Sequence, residues 1–135
     1  MKIVLDTNVL IAAFISHGTC HEVFEHLVQH HTLISSEFIL TEFLDKMEEK
    51  FHFNASDVHE ARILLLERMT LVTPHQFAES ISRDPDDDAV LGTATAGRCD
   101  CLLTGDKDLL VLNSFQNIPI LRPDAFWEFE STFPE

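Results

Sequence analysis

Acidic residues at four places in this 135-residue chain are candidates for one shared site: Asp6, Glu42, the Asp84-Pro85-Asp86-Asp87-Asp88 run, and Asp106. Asp6 closes the apolar run Ile3 to Leu5, and Asp106 closes the similar segment that begins at Cys101. Carboxylates that converge on a small volume cannot all stay ionised without a cation, because like charges raise one another's pKa. An all-oxygen donor set without Cys or His favours Mg²⁺ or Mn²⁺ over zinc. Such ions polarise a phosphoryl oxygen, acidify a bound water and stabilise a leaving oxygen, so the chemistry implied is metal-assisted phosphodiester hydrolysis. On residue types alone the same acids also read as helix caps and surface charge. The chain has 23 Asp and Glu, and an Asp after a strand commonly caps the next helix.

The elements that must position these acids follow from periodicity. Residues 2 to 6 read as a buried strand, and the apolar segment 9 to 15 as a helix entered through Asp6-Thr7-Asn8. Val23, Phe24, Leu27 and Val28 recur at helical spacing within 19 to 31, and 32 to 35 is a second strand. Ser35 or Ser36 caps a helix that carries Ile39, Phe43 and Met47 on one stripe, with Glu42 one turn in. A helix over 54 to 69, a strand at 71 to 73, a turn at 82 to 88 leading into a helix stopped by Gly97, and strands at 101 to 106 and 118 to 123 complete the pattern before a last helix near 124 to 130. Strands alternating with helices, without hairpin signals, predict a central, mostly parallel sheet of about five strands covered on both faces. In such sheets ligands bind beyond the carboxyl ends of the strands, where Asp6 and Asp106 lie.

The length suits one compact domain, residues 1–135. No apolar stretch near the start is long enough for a signal segment or a membrane span, so a cytoplasmic protein with no membrane partner is expected. Cys20, Cys99 and Cys101 are odd in number and form no CxxC pair, which predicts reduced core thiols. A net charge of −14 argues against loose electrostatic binding of nucleic acid, so a polyanionic substrate would need a metal.

Four ordered segments, VLDTNVLIAAF, SSEFILTEFLDKM, RDPDDDAVLGTATAG and LLTGDKDLLVL, together resemble the PIN-domain family, and in particular its small prokaryotic branch of VapC-type toxins. The resemblance implies a Rossmann-like α/β/α domain, a Mg²⁺- or Mn²⁺-dependent endoribonuclease, a frequent homodimer, and an antitoxin partner. Carried over motif by motif, it implies that Asp6, Glu42, Asp87 and Asp106 are catalytic and hold the metal. Asn8, Thr104 and Asp108 would orient those ligands or waters. Asp84, Asp86 and Asp88 compete for the third position; Asp87 is the choice, with Asp84 closing the turn before Pro85.

Other features have plainer readings. Arg83, Arg98 and Lys107 sit beside the acidic motifs and would hold RNA phosphates, or else are surface charge. His17/His21 and His26/His30 are spaced i,i+4, but without a third ligand they read as solvent-facing residues. The phenylalanines and Trp127 read mainly as core, with Trp127 and Phe129 available to a partner. The rival functions are a non-catalytic PIN-like module that binds RNA or protein, and a Mg²⁺-dependent phosphatase of the haloacid type. The latter wants a second Asp two residues after the first, where this chain has Asn8.

Overall fold

A computed structural model describes residues 1–134. In chain order its elements are β1 (Lys2–Leu5), α1 (Thr7–Ile15), α2 (Thr19–His30), β2 (Thr32–Ser35), α3 (Glu37–Glu49), α4 (Ala55–Arg68), β3 (Met69–Leu71), α5 (Pro85–Ala96), β4 (Cys101–Leu103), α6 (Lys107–Leu110), β5 (Ser114–Phe115), β6 (Ile118–Leu121), and α7 (Phe126–Thr132) after a short 3₁₀ turn at Pro123–Ala125. The strands form one sheet in the order β3-β2-β1-β4-β6-β5. All neighbours are parallel except β5 and β6. The mostly parallel α/β architecture is the expected one.

The central strands are apolar without alternation because both faces are covered. Ile3, Val4, Cys101, Leu102 and Leu103 have no exposed surface, and Leu33 and Ile34 almost none. Phe43 and Phe126 are the largest fully buried side chains. Trp127, read from sequence as core, is 38% exposed, while its neighbour Phe126 fills the interior. Burial pushes the Cys99 thiol up to about 12 and Cys101 higher still, in keeping with inert core thiols.

The strand order places a switch point between β1 and β4. The chain leaves β1 toward β2 on one side and returns to β4 on the other. Asp6 N donates to Leu103 O at 2.9 Å, which sets the ends of the two strands level.

Several boundaries differ from the sequence reading. Helix α1 starts at Thr7, because the Asp6 carboxylate itself accepts from Thr7 N and serves as the cap. Helix α5 starts at Pro85 rather than after residue 88: Asp84 caps it and Pro85 fits the first turn, where its missing N–H costs nothing. Strand β3 is set back to 69–71. The sixth strand comes from a hairpin whose turn residues, Gln116 and Asn117, both have positive φ (50° and 67°). That geometry usually calls for Asn-Gly, so the Gln-Asn pair hid the turn. Gly97 ends α5, yet its own φ is −81° and the left-handed residue is Arg98. Gly97 is needed for close approach instead, since a Cβ there would lie 2.5 Å from Ile34 Cγ2.

Gly92 is tighter still. A Cβ on it would sit 2.3 Å from the carbonyl oxygen of His75, whose N–H donates to Gly92 O. Helix propensity alone would make Gly92→Ala stabilising by about 1 kcal/mol. Backbone overlap should reverse that sign and cost about 1–3 kcal/mol; urea unfolding of the variant decides between the two, and a raised midpoint would refute the packing argument.

Candidate active site

Asp6 is the last residue before α1, and it is buried, 6% exposed. One oxygen accepts from Thr7 N at 2.7 Å and the other from the Thr104 hydroxyl at 2.7 Å. Thr104, fully buried just beyond β4, also accepts from Asp106 N at 3.0 Å. Asp106 in turn caps the short helix α6 by accepting from Asp108 N. The two strand ends are thus tied through one hydroxyl. Local sequence explains each cap: an Asp followed by helix-forming residues offers its carboxylate to an otherwise unpaired N–H.

Asp87, in the first turn of α5, is 5% exposed and accepts from Ser82 Oγ at 3.2 Å. Asp6, Glu42, Asp84, Asp86, Asp87 and Asp106 line one small cavity of about 90 Å³, together with Thr7, Asn8, Lys46 and Val90. A broader groove of about 560 Å³ along α3 shares Glu42, Lys46 and Asp86 with it. The carboxylates of Asp87, Asp106 and Asp108 can each offer an oxygen within 4.8 Å of the others.

The charges in this cavity repel. Burial pushes the Asp6 carboxyl up; hydrogen bonds from Thr104 and Thr7 pull it part of the way back, and Asp106 and Glu42 add to the rise. Asp87 is pushed up to about 7, first by burial and then by the charge of Asp106, with Asp84 and Asp6 adding to it against the hydrogen bond from Ser82. Carboxyls that resist ionisation side by side suit a divalent cation bound by oxygen. Thr7, whose buried Oγ1 has no hydrogen-bond partner, also lines the cavity.

All four acids carried over from the resemblance therefore border one cavity. Within the Asp84–Asp88 run the side chains divide: Asp84 caps α5, Asp86 is exposed at the rim, and Asp88 turns away to accept from Ile81 N and Ser82 N. Asn8 lines the cavity and accepts from Lys46 Nζ at 3.4 Å. Asp108 pairs with Arg83 at 2.7 Å, and Lys107 opens α6 on the exposed side. Arg98 does not join them. It lies between α5 and β4, near the end of the sheet opposite Asp106, because the chain must turn there to enter β4. Sequence reasoning missed Lys46, although it follows Glu42 at i+4 and so shares its helix face. It also missed the meeting of His26 and His31 with Glu130, which joins distant segments and is not an i,i+4 pair.

A parallel α/β sheet with a crevice at its switch point belongs to the doubly wound class of ligand-binding folds, and here that crevice is lined by buried acids. The PIN-domain family profile matches residues 2–108, and the chain belongs to that family. No curated protein matches the sequence. Among solved structures, a chain of VapBC-1 from nontypeable Haemophilus influenzae is similar at 17% identity and a TM-score of 0.64, over 92% of this chain and 99% of its own. A chain of VapBC2 from Rickettsia felis, bound to a DNA fragment from their promoter, is similar at 16% identity and a TM-score of 0.59, over 89% and 97%. At such identities the likeness is one of fold.

Two measurements test the electrostatics. The folded pKa of Asp87, about 7, lies above its ordinary 3.8, so the metal-free folded protein binds more protons than the unfolded chain between those values. Its stability should therefore fall as pH rises through that window in chelator. Asp87→Asn should flatten the fall and Mn²⁺ should offset it; an unchanged slope in the variant would contradict the assignment. Thr104→Val keeps the shape but leaves Asp6 and the Asp106 N–H without their partner, and should lower the unfolding free energy by about 1–3 kcal/mol. A neutral effect in urea titration would show that water replaces the hydroxyl at no cost.

Proposed function

We propose that the protein is a divalent-metal-dependent endoribonuclease and the toxin component of a toxin–antitoxin pair. The observation that carries this reading is the convergence of Asp6, Glu42, Asp87 and Asp106 on one cavity at the β1/β4 switch point. These four would hold Mg²⁺ or Mn²⁺. When bound, the ion supplies charge stabilisation for the phosphoryl group and lowers the pKa of water.

The protein's own groups set the stage for that chemistry. Thr104 holds the Asp6 carboxylate in one orientation and fixes the backbone of Asp106. Asn8 and Lys46 form the rim on the α3 side, with the Lys46 ammonium placed to meet a phosphate. Arg83 and Lys107 serve the α6 side, Arg83 through its pairing with Asp108. With a chain charge of −14, these few cations can hold RNA only locally, which favours a single-stranded or looped target over a long duplex.

Family membership and the VapBC names of both similar structures support an antitoxin partner, and a basic segment would complement the acidic cleft. The resemblance also supports a homodimer, which light scattering of the purified protein checks.

Purified protein incubated with single-stranded and hairpin RNAs should cut them with Mn²⁺ or Mg²⁺ and not with chelator. Asp6→Asn should lower the rate by at least roughly 100-fold, since even mutations behind the ligands cost about 10–100-fold. Undiminished cutting by the variant would sink the site. RNA retained on a folded, metal-loaded protein but never cut would favour the binding module.

A further inference from the structure

His26, His31 and Glu130 meet at one point although Glu130 is about a hundred residues away along the chain: the separations are 104 and 99 residues. His26 lies within α2, His31 is the residue on which α2 ends, and Glu130 lies in α7. Both imidazole Nε2 atoms face the same oxygen, Glu130 Oε2, at 2.6 and 2.5 Å. Positions five apart on a helix point about 140° away from each other. Here they converge because residue 31 leaves the helix in an extended conformation, φ −138° and ψ 179°, which swings its ring back toward His26. His30, the i+4 partner read from sequence, is exposed and donates nothing to this group.

The three side chains are 27%, 11% and 29% exposed, so the group is half-sheltered with one side open to water. Trp127 packs against His26 with ring centroids 4.9 Å apart, and Phe126 against His31 at 5.8 Å. The amino nitrogen of Met1, 3.2 Å from His31 Nδ1, borders that ring on its other edge. Burial works against the charge of Glu130, but the hydrogen bonds from His31 and His26 outweigh it and hold the carboxyl below its usual range. A carboxylate and two imidazoles oriented toward it are in place together. Their ligand atoms lie within 4.8 Å of one another.

Two imidazole nitrogens and one carboxylate oxygen are the donor set of zinc, whereas Mg²⁺ prefers oxygen alone. We propose that His26, His31 and Glu130 form a zinc site that staples α7 to the end of α2, with water in the fourth position. It lies near the end of the sheet opposite the acidic cavity, since His31 directly precedes β2 while Asp6 directly follows β1, which is parallel to it. Loading replaces the two N–H···O contacts by bonds to the ion; each ring binds through Nε2 as the neutral form with its proton on Nδ1, and at His31, where Nδ1 faces the Met1 amino nitrogen, that amine gives up one proton to solvent and accepts from Nδ1–H. Ligands about 2.0–2.2 Å from a tetrahedral zinc stand roughly 3.3 Å apart. The two N···O separations have to lengthen by under about 1 Å, and Glu130, which is partly exposed, has room to recede.

The test is a titration of the purified chain with Co²⁺ as a spectroscopic probe, and then Zn²⁺, in excess Mg²⁺. Wild type, His26→Gln, Glu130→Gln and Asp6→Asn are compared after circular dichroism has verified that each is folded. The wild type should bind about one Co²⁺ with visible bands of low-coordinate nitrogen and oxygen ligation, displaced by Zn²⁺. Asp6→Asn should bind equally, whereas His26→Gln and Glu130→Gln should each weaken binding at least roughly 100-fold. Stoichiometric zinc should raise the unfolding temperature of the wild type and of Asp6→Asn but not that of the other two. Absence of visible bands in the folded wild type would overturn the proposal. So would binding that survives both His26→Gln and Glu130→Gln but is lost in Asp6→Asn, which would place the ion in the acidic cavity instead. RNA cleavage is not read in this experiment, so its outcome is separate from that of the nuclease assay.

Discussion

The hydroxyl of Thr104 is the joint on which the acidic site depends. It donates to Asp6 and accepts from the Asp106 N–H, so the ends of β1 and β4 share one small dipole. A buried carboxylate without hydrogen bonds would be costly or would take up a proton, and Asp6 escapes the worst of that through Thr104 and Thr7. The backbone contributes the rest, because parallel pairing of Leu5 with Leu103 brings the two strands to their ends at the same level. Any other register would separate the two acids.

The cavity works against the fold in the absence of a cation. Acids that cap α1 and α6 and acids within α3 and α5 are directed at one volume with Lys46 as the single basic side chain lining it among the described residues, and Asp87 is pushed up to about 7, first by burial and then by those charges. Stabilisation comes from elsewhere, from the fully buried strands β1 and β4 and from Phe43 and Phe126. Functional sites commonly carry such local conflict, and here it coincides with the switch point where the topology opens a crevice.

Much of this was legible in the chain. Continuous apolar runs at Ile3–Leu5 and Cys101–Leu103 announce strands buried on both faces, and acids at their ends announce a cleft. Less legible were features that rest on a single residue's conformation. The β5–β6 hairpin turns on Gln116 and Asn117 in a left-handed conformation that Asn tolerates but Gln does not advertise, and α6 is too short for periodicity to reveal. Within the Asp84–Asp88 run, residue type could not separate the cap from the buried acid, since all four aspartates are chemically alike.

What the amino-acid sequence determined by itself was the class of structure and the identity of the acids, because hydrophobic period and capping chemistry are local properties of the chain. Only the tertiary structure decided which groups share a volume. Strand order brings Asp106 to Asp6 across 100 residues of chain, and the same folding leaves Arg98 near the far end of the sheet and carries Glu130 to His26 and His31. The physical reason is that side-chain encounters depend on sheet register and helix termini, which are settled by packing of the whole core and not by any short stretch of residues.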